Sequence, residues 1–230
     1  MGDVAQEPST KPGDPVWLSS AYFNTEFSRA FMDVDILPNG RVHPTERLMA
    51  LSNRKMRGGE IREDEMPRQH FHTNNWTFEE SLPPLILMSF LALNPPLAAL
   101  IGRFNLGLGR LHPVELLQYD RTTMVSRDYR ILTIGNAIET LDLERSTSLR
   151  KRLSAAGEWV PMFTPPSDDR KATFVVKPGF SCAPDIWQDP RLVGPLFMSD
   201  RLVKALRAAN YARYFLLTPC ILSKDGVTPA

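Results

Sequence analysis

Leu82-Pro-Pro-Leu-Ile-Leu-Met-Ser-Phe-Leu-Ala-Leu-Asn-Pro-Pro-Leu-Ala-Ala-Leu-Ile101 decides between two classes of fold. No charged residue falls between Ser81 and Gly102, and the run is long enough to cross about 30 Å of hydrocarbon. Pro83-Pro84 and Pro95-Pro96 each remove backbone donors, however, and Asn94 would sit near the middle, so a spanning helix would be interrupted halfway. The stretch therefore reads as a buried strand, Leu85 to Met88, followed by a short buried helix entered through Pro95-Pro96, where proline suits a first turn.

The same order recurs near the other end of the chain. Pro195-Leu-Phe-Met198 reads as a short buried strand, Ser199 as an N-cap and Asp200 as an acid at the positive end of a helix dipole. Leu202, Ala205, Leu206 and Ala209 then share one helix face, while Arg201, Lys204 and Arg207 lie toward solvent. Asn210 ends that helix where left-handed geometry is tolerated. Tyr214 to Leu217 is the next expected strand, stopped near Pro219. Pro84-Leu-Ile-Leu-Met-Ser89, a helix, then Leu111-His-Pro-Val-Glu-Leu116 mirrors Pro195-Leu-Phe-Met-Ser199, a helix, then Leu216-Leu-Thr-Pro-Cys-Ile221. The expected fold class is α+β: a mixed β-sheet with flanking helices, shared by two related strand-helix-strand units at about 84–116 and 195–222, each a right-handed crossover.

Composition bounds the rest. The chain has 230 residues, 43% of them hydrophobic and 23% charged, enough for a substantial core without disulfide or metal help. Its formal net charge of +1 speaks against a dedicated nucleic-acid binder. Twenty prolines against thirteen glycines imply a chain broken into short elements. Two cysteines, Cys182 and Cys220, build no disulfide framework and lie in no zinc-type spacing, which fits a reducing cytoplasm. Residues 1–15 carry Asp3, Glu7 and Asp14 without an apolar segment and read as a flexible arm rather than a secretory signal. Residues 16–230 are expected to form a single domain.

Between these landmarks, Phe23, Phe27, Ala30 and Phe31 recur at helical spacing behind the candidate caps Ser19 and Ser20, predicting an amphipathic helix. Met32 to Leu37 alternates apolar and acidic residues and predicts a strand ending at Pro38-Asn39-Gly40. Pro44 opens an expected helix to about Met56, stopped by Gly58-Gly59. Glu60 to Glu80 is the most polar interval and is expected to be an exposed excursion. Arg130 to Ile134 predicts a strand or the start of a helix, Ala137 to Leu143 is ambiguous, the interval around Pro161, Pro165 and Pro166 reads as loop, and Thr173 to Val176 as a strand closed by Pro178-Gly179.

Few constellations carry chemistry. Gly179-Phe-Ser181-Cys-Ala183 resembles a nucleophile elbow, but all four histidines, His43, His70, His72 and His112, precede the serine, so the sequence expects a plain turn. His70-Phe-His72 could place two imidazoles on one side of a strand near Glu60, Glu63, Asp64 and Glu65, yet nothing completes a metal shell, and two solvated histidines are expected. Gly102, Gly107 and Gly109 fit no phosphate-binding fingerprint. Asp142, Glu144 and Ser146 are expected to be a charged element end. No cofactor and no metal are expected.

Tyr129-Arg-Ile-Leu-Thr-Ile134, Ile138-Glu-Thr-Leu-Asp142-Leu-Glu-Arg-Ser146, Pro184-Asp-Ile-Trp187 and Phe197-Met-Ser-Asp-Arg-Leu-Val-Lys-Ala-Leu206 together resemble immunity protein family 11 of bacterial polymorphic toxin systems, a domain of unknown function. Trp187 stands where the family pattern has phenylalanine, and Ala212-Arg-Tyr-Phe215 lacks the glycine of its closing motif. The resemblance runs from about Pro84 to Ile221 and is weakest before Ile61. It implies a cytoplasmic immunity protein that binds and neutralises a cognate toxin, an effector of a contact-dependent or type VI-like secretion system; no enzyme activity, no membrane and no nucleic acid are expected.

For the toxin-binding surface the sequence points to Glu60, Glu63, Asp64 and Glu65 with Phe71, Trp76 and Phe78, carboxylates and aromatics suited to gripping a basic partner. The alternative is a small hydrolase, or an enzyme reversing a toxin's product, working through carboxylates near Asp142 or through the His70/His72 pair.

Overall fold

The apolar stretch folds back on itself instead of running straight. The computed structural model describes residues 13–37, 39, 41–56, 58–75, 77–147, 149–153, 159–163, 173–177 and 184–223. Within it, Leu85–Leu87 and Leu91–Leu93 pair as an antiparallel hairpin, and Pro95–Ile101 is a helix. Asn94, the residue least suited to a membrane centre, caps that helix, its Oδ1 accepting the Leu97 N–H at 3.0 Å. No helix among the described residues is long and apolar enough to cross a membrane.

In chain order, β1 (Val16–Ser19) leads through 3-10 turns at Ala21–Phe23 and Thr25–Phe27 to β2 (Phe31–Met32), the ribbon β3 (Val34–Ile36) and β4 (Val42–Pro44), and helix α1 (Glu46–Met56). Strand β5 (Gln69–His72) precedes the hairpin β6 (Leu85–Leu87) and β7 (Leu91–Leu93), then α2 (Pro95–Ile101). Strands β8 (Arg110–Pro113), β9 (Glu115–Leu117), β10 (Met124–Ser126) and β11 (Arg130–Thr133) follow, then the ribbon β12 (Leu149–Leu153) and β13 (Trp159–Phe163). The chain continues with β14 (Val175–Val176), β15 (Ile186–Trp187), β16 (Leu196–Ser199), α3 (Asp200–Ala208), β17 (Leu217–Pro219) and β18 (Ile221–Leu222). The fold is α+β.

The two strand-helix-strand units exist, but each has its own sheet. One sheet runs β6-β7-β11-β8 and the other β15-β16-β1-β17, with every neighbouring pair antiparallel. In each, two strands joined through a helix lie parallel with one antiparallel strand between them. The inserted strand comes from the next stretch of chain in the first unit (β11) and from the far N-terminal side in the second (β1). The register of the likeness differs from the expected one. Asn94 and not Ser89 corresponds to Ser199, whose Oγ likewise accepts the N–H of the third helical residue, Leu202, at 3.3 Å.

Strands β6, β7 and β16 are covered on both faces, which is why they read as apolar runs, while the edge strands β8 and β17 are partly exposed. Leu85, Leu91, Leu93 and Leu132 of one sheet and Ile186, Leu196 and Met198 of the other join Leu97, Ile101, Leu202 and Leu206 of α2 and α3 in a common core. The opposite face of the first sheet, with Ile86, Ala92 and Ile131, packs on Leu48, Leu51, Phe31 and Leu116. That of the second, with Leu18, Trp187 and Phe197, packs on Phe163, Phe174 and Val176. A third sheet, β10-β9-β5-β2, is the mixed one, because β5 and β9 run parallel.

Several expected elements differ. The helix proposed for residues 19–31 is two 3-10 turns and a strand, since Phe23, Phe27 and Phe31 pack into three different clusters rather than one face. Helix α1 starts at Glu46, capped by Thr45, whose Oγ1 accepts the Leu48 N–H at 3.1 Å, while Pro44 belongs to β4. Gly58 closes it with φ of +69°. Pro161 lies within β13 rather than a loop, and the last predicted strand begins at Leu217, after a 3-10 turn at Ala212–Tyr214. Asn210 adopts φ of +60°, as its place after the helix suggested. Most of the N-terminal arm and the whole Gly179 to Ala183 motif lie outside the described residues.

Candidate functional site

Strand β5 sits second from the edge of the mixed sheet, between β2 and β9. The alternation of a strand sends His70 and His72 inward and Gln69 and Phe71 outward. The two imidazoles do share one side, but they are core residues, 0% and 4% exposed, and not the solvated pair the sequence suggested. The His72 ring packs 5.3 Å, centroid to centroid, from both Phe31 and Phe78. His70 has neither ring nitrogen hydrogen-bonded, and burial pulls its pKa down to about 4. No group of three or more His, Cys, Asp or Glu among the described residues is placed to hold a metal.

The outward face of β5 floors a cleft of about 960 Å³. Glu63, Asp64 and Phe71, three of the residues singled out in the sequence, line it, together with Arg68, Glu115 and Arg127. The guanidinium of Arg121 covers the Phe71 ring at 4.7 Å and donates to the Val34 carbonyl at 2.6 Å. At one wall Arg47 pairs with Asp33 at 3.5 Å, and Thr45 Oγ1 donates to the same carboxylate at 2.7 Å. Gln69 Nε2 donates to Glu115 at 2.9 Å. Arg68 and Arg127 are exposed and make no ion pair with a described residue. The cleft is thus mixed in sign, where the sequence suggested an acidic surface.

The other expected contact residues are placed differently. Glu60 is exposed and borders a separate, smaller pocket of about 250 Å³ with Arg62 and Arg110, which Glu63 also reaches. Glu65 is tied to the body of the protein, paired with Arg54 at 2.7 Å and accepting the Arg62 N–H at 3.0 Å. That backbone hydrogen bond, with Arg54, holds its carboxyl below the usual range. Phe78 is 8% exposed, its ring edge-on to Phe31 at 5.2 Å and its backbone N–H held by Gln118 Oε1, so it anchors the core and not a partner. Trp76 lies outside the described residues. Arg47 and Arg127 were missed in the sequence because they come from other elements, Arg47 from α1, where it pairs with Asp33, and Arg127 from the residues after β10, and only the tertiary fold brings them beside Glu63.

The carboxylate considered for acid–base chemistry has a structural task. Asp142 Oδ1 accepts the N–H groups of Glu144 and Arg145, both at 3.1 Å, and so closes a tight turn. Ser146 Oγ accepts the Val175 N–H at 3.0 Å. The neighbouring quoted segments are knitted together in the same way. Asp185, wholly buried, binds Arg201, Ser199 Oγ and the Asn105 N–H, and Trp187 Nε1 donates to Thr140 Oγ1 at 2.6 Å. Asp189 accepts the Thr140 and Leu141 N–H groups at 2.9 and 3.0 Å. No protein-family model matches the chain, and no curated protein matches it.

Proposed function

We propose that this chain is an immunity protein that binds a cognate toxin in the cytoplasm and neutralises it, using the mixed-charge cleft over β5. The observation that carries the reading is the cleft's chemistry. Two exposed carboxylates, Glu63 and Asp64, and two exposed guanidinium groups, Arg68 and Arg127, surround the half-buried Phe71. Such a surface gives a protein partner an aromatic anchor at its centre and charges of both signs at its rim, which set register and speed encounter. The resemblance to immunity protein family 11 supplies the partner class. Three of the four segments that carry the resemblance meet in internal hydrogen bonds at Asp185 and Asp189, neither of which lines the cleft.

The test is co-expression with the product of the adjacent gene, followed by co-purification and titration. A complex burying roughly 1,200–2,000 Å² is expected. Glu63→Lys with Asp64→Lys, and separately Arg68→Glu with Arg127→Glu, should each keep the native melting transition while weakening the complex at least tenfold, about 1.4 kcal/mol. Glu65→Lys is left out of this design, because it would break the Arg54 pair. Native affinity in both double variants would sink the reading.

A further inference from the structure

A second cavity, of about 380 Å³, lies between α1, the 3-10 turn at Ala21–Phe23 and the β6–β7 hairpin, away from β5. Its polar lining is unusual. Lys55, in the last turn of α1, is 8% exposed; its Nζ donates to the Ser89 carbonyl at 2.6 Å and stands 4.1 Å from the centre of the Tyr22 ring. No carboxylate among the described residues pairs with it. Gln188 is 1% exposed, and both its Oε1 and the Tyr22 hydroxyl are buried without a hydrogen-bond partner. Leu87 and Val193 supply apolar wall.

These groups state what would complete them. A buried ammonium without a counter-ion wants an anion, a tyrosine hydroxyl can donate to one, and an amide oxygen wants a donor. We infer that this cavity binds a small carboxylate bearing a hydroxyl next to its carboxyl group, with Lys55 and Tyr22 on the carboxylate, Gln188 Oε1 on the hydroxyl and an aliphatic tail against Leu87 and Val193. The volume lies at the small end of the range for ligand pockets, about 300–1,000 Å³, which limits the occupant to a small acid. Burial already holds the Lys55 amine down to about 8, the direction expected of a cation lacking a negative neighbour. This site is independent of the toxin-binding cleft.

The full chain is titrated by calorimetry with hydroxyisocaproate, isocaproate and hydroxyisocaproamide. The hydroxy acid is expected to bind saturably, and the other two about tenfold or more weakly, each having lost one matched group. Gln188→Met should remove the preference for the hydroxyl while leaving isocaproate binding in place. Lys55→Met should remove the preference for the acid over the amide, and Tyr22→Phe, a smaller change that serves if Lys55→Met does not fold, should weaken both acids alike. Absence of saturable binding, equal binding of the three probes, or preferences unchanged in the variants would overturn the site.

Discussion

His70 shows what a single buried side chain does to the whole protein's response to acid. Buried and without a hydrogen-bond partner on either nitrogen, it stays neutral in the folded chain down to about pH 4, while in the unfolded chain it takes up a proton near 6.5. The unfolded state therefore binds more protons across that window, and stability falls as pH drops from about 6.5 toward 4. The loss from this one group is on the order of 2 kcal/mol at pH 5, and the buried His112, shifted down by desolvation as well, adds in the same direction. Urea unfolding at pH 7 and pH 5 should show it, and His70→Leu should flatten the slope. Sequence reading put His70 and His72 together correctly and misjudged their surroundings. The polar neighbours that suggested solvent, Glu63, Asp64 and Arg68, line the cleft on the outer side of β5, and period-two alternation leaves open which side is out.

At the scale of elements, the ends of α3 were the most legible feature, whereas Ser19 and Ser20, read as caps, cap no helix: Ser19 ends β1 and donates to the Phe215 carbonyl, and Ser20 makes no cap hydrogen bond. Ser199 and Asn210 at the two ends of α3 and Gly58 after α1 act as their residue types predict, because each meets a purely local demand of the backbone. Asn94 does for α2 what Ser199 does for α3. Asn94→Ala and Ser199→Ala should each destabilise by about 1 kcal/mol through the lost cap, with the second costing more because Ser199 Oγ also donates to buried Asp185. Paired denaturation curves compare them directly. The stripe of Phe23, Phe27 and Phe31 misled for the opposite reason. Its spacing fits a helix, but Phe23 meets Phe163 at 5.2 Å, Phe27 meets Tyr214 at 4.5 Å and Phe31 meets Phe78, three destinations a single helix face could not serve. The prolines follow a rule that the sequence hid. Pro113 and Pro219 sit in the outer strands β8 and β17, and Pro44 and Pro161 in two-stranded ribbons, where a missing donor spoils no inner ladder.

For the molecule as a whole, the two units differ most in where their central strand comes from. Unit-level likeness was readable from the recurring strand-helix-strand order. The separation into two sheets was not, because no local pattern says that β1 is to lie between β16 and β17. Leu18, fully buried and paired with Phe197 and Thr218, is the point of closure. Leu18→Ala should cost about 2–5 kcal/mol. Because pairing across so much chain carries a large loop-closure cost, most of that loss should appear as faster unfolding with little change in folding rate, readable in a stopped-flow chevron.

That arrangement also sets a timetable for biosynthesis. Strand β1 leaves the ribosome well before β16 and β17, and at synthesis rates of about 5–20 residues per second it waits some ten seconds or more for them to be made. During that interval Val16 and Leu18 face water, while the β6–β11 unit, whose strands all lie within one stretch, can already assemble. The nascent chain therefore carries two uncovered apolar surfaces at once, the unpaired strand Val16 to Ser19 and the face of the first sheet that later packs on Leu196, Met198 and Leu202.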